Sequence, residues 1–191
     1  MSRRVQRVHY QLSNIDDVMR PSQKDIDNIL RAADEIIATA GRAMLAKILK
    51  GSKDKKVLEF KLDECPSYGY YNSMTISEIT KIVDWMIIND YLDIDYNYQL
   101  PLIVFSKKGW ELYKPVYADE LYSKILVVAD NSETDLINQL LKTNREVVKI
   151  LLLQVGASKN IGVIRFLENW KENEVKKVRS MIIGAINAIK K

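Results

Sequence analysis

Apolar residues recur at helical spacing through most of this chain and at strand spacing in one place. After Pro21, Ser22 precedes Asp25 by three residues, a helix-start pattern. Ile26, Ile29, Leu30, Ala33, Ile36 and Ile37 then fall on one face, predicting a helix to about Ala40. Gly41 interrupts. Met44, Leu45, Ile48 and Leu49 mark a short second helix that Gly51 ends. A third helix is expected from Ser52, its cap, with Val57, Leu58 and Phe60 turned inward. Residues 65–74, CPSYGYYNSM, read as a loop. Thr75 and Glu78 then form a capping box, opening a helix with Ile79, Ile82, Val83, Met86 and Ile87 on one face and Trp85 in the core.

Over residues 92–98 the period drops to two. Leu92, Ile94, Tyr96 and Tyr98 alternate with Asp93, Asp95 and Asn97. LPLIVFS, residues 100–106, follows as a second strand, paired to the first around a turn near 97–99. Helices followed by a two-stranded wing predict a winged helix-turn-helix, α+β within a mainly α chain. Residues 114–130 have helix-like spacing at Leu121, Ile125 and Val128. Further helices are expected at about 133–143, 145–156, 161–170 and 174–190, a C-terminal bundle of helical hairpins. The predicted organisation is an N-terminal arm and helix (1–40), a winged helix (41–114) and a helical C-terminal region (115–191).

The 191 residues are 47% hydrophobic, enough for a core in one domain or two small ones. One Cys and one His exclude an intrachain disulfide and the usual structural zinc sites. No apolar run reaches the roughly 18–20 residues of a membrane helix. The N-terminal MSRRVQRVHYQ lacks the apolar centre of a signal peptide, so a cytoplasmic location without membrane contact is expected. No nucleophile–base pair, metal cluster or phosphate loop stands out. Neither catalysis nor a cofactor is expected.

Charge sharpens the picture. The net +4 divides into 0 over residues 1–41, +5 over 42–61, −6 over 62–105 and +5 over 106–191. Within the basic block, Lys53, Lys55 and Lys56 crowd the expected start of the third helix. A helix N-terminus repels cations, at a cost of about 0.3–1 kcal/mol each. A phosphate bound by the Ser52 hydroxyl, the free N–H groups and these lysines would remove the conflict. The alternative is a solvated, lysine-rich helix start.

The stretches GRAMLAKILKGSKDKKVLEF, SYG, ITKIVDWMIINDYLDI and LPLIVFSKKGWEL resemble the RQC domain of RecQ-family DNA helicases, over about residues 41–114. The most specific parts are Gly41-Arg42 with Leu49-Lys50-Gly51-Ser52, and Lys107-Lys108-Gly109 after the wing. In that family the turn between the first two winged-helix helices, and the start of the next, grip DNA phosphates. By resemblance that role falls on Lys50, Ser52, Lys53, Asp54 and Lys56. The family's wing hairpin can act as a wedge at base pairs, which places Tyr96, Asn97, Tyr98 and Gln99 at a duplex end. Arg42, Lys107 and Lys108 complete the candidate surface. Departing from the helicases, the chain has no G-x-x-x-x-G-K-[ST] and no room for two motor domains, so ATP-driven unwinding is not expected of it.

Glu78, Asp84 and Asp90 against Lys81 argue that the helix from Thr75 does not enter a groove, since carboxylates repel phosphates. Tyr96 has cross-strand packing as its alternative role, and residues 68–71 are either a stacking cluster or a loop tucked over the core. VKKVRSMIIGAINAIKK resembles a helix of a HEAT-like repeat. Lys171, Lys176, Lys177, Arg179, Lys190 and Lys191 either extend the DNA surface or solvate it, and Arg3, Arg4, Arg7 and Arg20 form a basic arm. The expected partner is duplex or forked DNA. Structured RNA, and a protein partner on the C-terminal helices, remain the alternatives.

Overall fold

The computed structural model describes residues 10–128 and 133–191, so Arg3, Arg4 and Arg7 of the basic arm lie outside the described residues. The chain divides into two compact units, Met1–Tyr113 and Lys114–Lys191.

The first unit opens with α1 (Gln23–Asp34), whose N-terminus is closed by the Ser22–Asp25 capping box. The helix stops well short of Ala40. Ala38 takes a left-handed φ of 56°, and residues 38–40 leave the helix for the sheet. Ala38 N–H donates to Ile103 O at 2.8 Å, and Ile103 N–H donates to Ala40 O at 2.9 Å. Apolar spacing alone favoured more helix. A strand edge with unpaired backbone groups competes for the same residues and prevails.

Helix α2 (Arg42–Lys50) ends at Gly51, where φ is 74°. Ser52 N–H bonds Lys47 O and Gly51 N–H bonds Ile48 O, the paired bonds of a Schellman end. Helix α3 (Lys55–Glu59) begins later than expected, and its cap is Asp54, not Ser52: the Asp54 carboxylate accepts the Lys56 N–H. Five residues give α3 room for one inward side chain. Val57 is buried, while Leu58 and Phe60, expected inside, are exposed. The loop over 65–74 is tucked down as backbone addition to α2, with Gly69 N–H on Ile48 O and Tyr71 N–H on Leu49 O. Its tyrosines are fastened: Tyr68 OH donates to Ser52 O and Tyr70 OH to Asp25 Oδ1.

Helix α4 (Ile76–Ile88) starts at the Thr75–Glu78 capping box and packs on α2. Strands β1 (Leu92–Asn97) and β2 (Leu100–Phe105) pair antiparallel from Leu92↔Phe105 to Asn97↔Leu100. Ile29, Leu45, Ile48, Ile79, Met86, Leu92 and Ile103 form the core between these elements.

Helix α5 (Lys107–Val127) starts before the residues whose spacing predicted it. Ser106 explains this: its hydroxyl accepts the Gly109 N–H at 2.9 Å and its carbonyl accepts the Trp110 N–H. Tyr113 stacks on Phe105 with centroids 5.0 Å apart and donates to Asp34 Oδ2. The first turn of α5 lies so close to the backbone at Tyr91 that a Cβ on Gly109 would sit 1.8 Å from Tyr91 O. Backbone cannot yield as a side-chain tip would. Gly109→Ala is therefore expected to destabilise the protein by about 2–3 kcal/mol or more, read in urea unfolding. Unchanged stability would mean that α5 is not seated this way.

The second unit contains α6 (Glu133–Lys142), α7 (Arg145–Ala157), α8 (Ile164–Glu172) and α9 (Lys176–Lys190). α7 and α8 both pack on α9. At the α8–α9 corner the buried Glu174 accepts from Arg145 Nη1 and Trp170 Nε1, both at 3.1 Å, and from Val175 N–H at the start of α9. No helix among the described residues is long and apolar enough to cross a membrane, and none of their His, Cys, Asp and Glu residues cluster as metal ligands.

Candidate functional site

Five lysines stand against Asp54 over residues 47–56. The structure divides them into two kinds. Lys47 Nζ pairs with Asp54 Oδ2 at 2.8 Å, and Lys50 Nζ donates to Asn72 O. These two shape the turn. The bond from Lys47, with that from Lys56 N–H, holds the Asp54 carboxyl below the usual aspartate range. The cap is therefore at full strength above that range and is lost as pH falls through the lowered value. Lys53, Lys55 and Lys56 are exposed, and their ammonium groups make no ion pair among the described residues. Ser52 serves the turn internally: Oγ accepts the Asp54 N–H and its carbonyl accepts Tyr68 OH. So Asp54 answers part of the helix-start conflict, Lys53 lies ahead of the helix, and three ammonium groups remain at the surface.

A second group forms the tip of the wing. Pairing ends at Asn97↔Leu100, leaving Tyr98 and Gln99 as the turn. Tyr98 is 83% exposed and holds φ at 54°. Left-handed backbone is unfavourable for a residue of this size, at a cost of about 1 kcal/mol or more. Tyr98 thus leaves the strand face it was expected to share with Tyr96, which is half-buried. Asn97 and Gln99 are exposed beside it. Leu100 joins them at 60% exposure. Sequence reading passed over Leu100 because both alternating sets of LPLIVF are apolar, which hides the outward position.

Lys107 and Lys108 are not at the tip. They follow the opposite end of β2, about 17 Å away at strand rise. Lys108 Nζ donates to Asn89 O at 2.9 Å and lies 3.6 Å over the Tyr91 ring, fastening α5 to the end of α4. Lys107 is exposed.

Arg42 is turned into the fold. Its Nη1 lies 2.6 and 2.8 Å from the two oxygens of Asp84, which is fully buried, and its Nη2 donates to Gln11 O. Ser13 N–H supplies Asp84 with a further bond, and Lys81 pairs with Asp17 at 2.7 Å. The segment from Gln11 to Asp17 is thereby bound along α4. This corrects the view of α4 as an acidic surface at Asp84 alone, which is interior; Glu78 and Asp90 are exposed, and the bonds from the Thr75 N–H and hydroxyl hold the Glu78 carboxyl below the usual glutamate range. The N-terminal segment covers part of α4 as well, through Ser13 on Asp84 and Asp17 on Lys81. Trp85, expected in the core, is half-buried against Tyr91.

The RQC domain family model matches residues 14–122, more than half of the chain. The chain belongs to the RQC domain family. The lysine turn, the wing and the Gly109 seat all fall within the RQC match, while α6–α9 fall outside it. Among curated proteins the chain is similar to the ATP-dependent DNA helicase RecQ of Bacillus subtilis (strain 168), at 25% identity over 131 residues. Those residues are 69% of this chain and 21% of the helicase, so the chain spans about a fifth of that relative's length. No solved structure matches the chain.

Proposed function

We propose that this RQC protein is a non-catalytic nucleic-acid-binding protein that holds duplex DNA at an end, fork or branch. The lysine turn engages backbone phosphates and the wing tip meets the terminal base pair. The observation that carries this reading is the trio Lys53, Lys55 and Lys56, exposed on a turn whose carboxylate, Asp54, is already taken by Lys47 and the α3 N-terminus. The bonds of Asp54, Ser52 and Tyr68 fix the backbone of the turn, so three cations are presented to a phosphate chain without ordering of that backbone on binding. The relative's name, a DNA helicase, agrees with DNA as the polymer. Lys50, Ser52 and Asp54 build the turn, and Lys107 is a peripheral contact. Arg42 and Lys108 are left out because the fold occupies them.

The test is a competition series across blunt duplex, forked DNA, single strand and double-stranded RNA, each at several salt concentrations. Forked and blunt duplex are expected to bind best, with a log–log salt slope of about −3 for three phosphates. Binding indifferent to salt, or none at low salt, would overturn the proposal. Equal preference for double-stranded RNA would show that the turn reads phosphate alone.

The wing makes a separate prediction. Tyr98→Gly removes the ring and also relieves the left-handed strain, so melting should stay level or rise. Base–aromatic stacking is worth about 1–3 kcal/mol, so affinity for duplex ends should fall about 5- to 150-fold. Affinity for closed circular duplex should not change. An equal loss on both substrates would mean that the ring does not stack on an end.

A further inference from the structure

The C-terminal unit carries an open groove along α7 and α9 that the nucleic-acid reading leaves unused. The two helices approach closely where Gly156 meets α9, since a Cβ there would lie 3.2 Å from Ala188 Cβ. Outside that contact, Leu152, Leu153 and Met181 wall a space of about 400 Å³. Leu153 is 66% exposed on its wall. Gly184 also lines the groove, inside α9, where glycine costs about 1 kcal/mol against alanine. A Cβ on Gly184 would meet nothing within 4 Å, so packing within the described chain does not require its absence.

The charge around the groove is one-sided. Lys149 and Lys159 line it, and no carboxylate does; Lys159 Nζ donates one of its three N–H bonds to Ala188 O on α9 at 2.9 Å, which fixes its charge at the groove's edge. Lys149 lies on α7 and Lys159 just past its end, about 15 Å apart at helical rise, or nearly three turns.

We propose that this groove binds an acidic amphipathic helix of a partner protein. Apolar side chains at i, i+3 or i+4, and i+7 fill the groove beside Leu153, and flanking carboxylates meet Lys149 and Lys159. Complementarity of charge selects this occupant. A second copy of the same face would set these lysines against each other. A nucleic acid would satisfy the lysines and leave Leu153 and Met181 uncovered.

The test uses the full chain and two labelled peptides of about 15 residues. Both carry leucine at the same helical positions, and one has glutamate and the other lysine at its polar positions. Fluorescence anisotropy is expected to show the glutamate peptide binding at least about tenfold tighter. Gly184→Met, which helix propensity favours, should weaken it at least about tenfold while duplex DNA affinity is unchanged. Lys149→Glu should shift preference toward the lysine peptide, and it decides alone if Gly184→Met does not fold. Equal binding of the two peptides, no binding of the glutamate peptide, or binding that survives Gly184→Met overturns the proposal. So does self-association that Gly184→Met abolishes, which would make a second copy the occupant.

Discussion

Replacing Lys53, Lys55 and Lys56 together with glutamate is expected to abolish duplex DNA binding while the protein melts no lower than the parent. Each lysine lost from a phosphate contact removes about 0.9 from the salt slope, so a slope near −3 should approach zero. Affinity at low salt should fall about a thousandfold or more, because the added carboxylates repel what the lysines attracted. The stability half of the prediction is what makes the test clean. Lys55 and Lys56 occupy the first turn of α3, where the peptide dipoles favour acidic residues. Glutamate there should contribute about 0.3–1 kcal/mol each. A variant that is at least as stable and no longer binds cannot owe its defect to unfolding. Retained affinity in a folded triple variant would move the site away from this turn.

Arg42→Ala is expected to have the largest effect on stability, about 3–5 kcal/mol, read as a lowered urea midpoint. Asp84 is fully buried and holds Arg42 through both oxygens. Removing Arg42 leaves that carboxylate with the Ser13 N–H as its hydrogen-bond partner among the described residues, and an uncompensated buried charge is costly. The double replacement Arg42→Met with Asp84→Leu should recover a large part of the loss, because it removes both charges and refills the space. It should also loosen the segment at Gln11 and Ser13, which protease digestion would detect. A loss below about 1 kcal/mol for Arg42→Ala would mean that solvent reaches Asp84 and the pair is not a fastening.

These two variants also separate the kinds of residue that the sequence presents alike. Arg42 and Lys53 are both cations in one basic block. Charge counting cannot tell them apart, since it does not know that Arg42 faces a carboxylate 42 positions on. Lys108 was grouped with Lys107 for the same reason; both are exposed, but the Lys108 ammonium group is bonded to Asn89 O and lies over the Tyr91 ring.

By itself the sequence determined the elements whose causes are local. The capping boxes at Ser22 and Thr75, the Gly51 helix end, the two-residue period of the wing and the four C-terminal helical segments were all legible within a few positions of chain. So was membership of the RQC pattern, which rests on the motif residues around Gly51 and Gly109. Tertiary structure decided what depends on distant partners. It ended α1 at Asp34 because Ala38 and Ala40 complete the edge of β2. It exposed Leu58 and Phe60 because α3 is five residues long, and it drew Asp84 inside because Arg42 arrived to neutralise it. Periodicity records which side chains prefer to leave water. Which backbone edge, cation or carboxylate waits for them is set by residues tens of positions away, and only the folded chain brings those together.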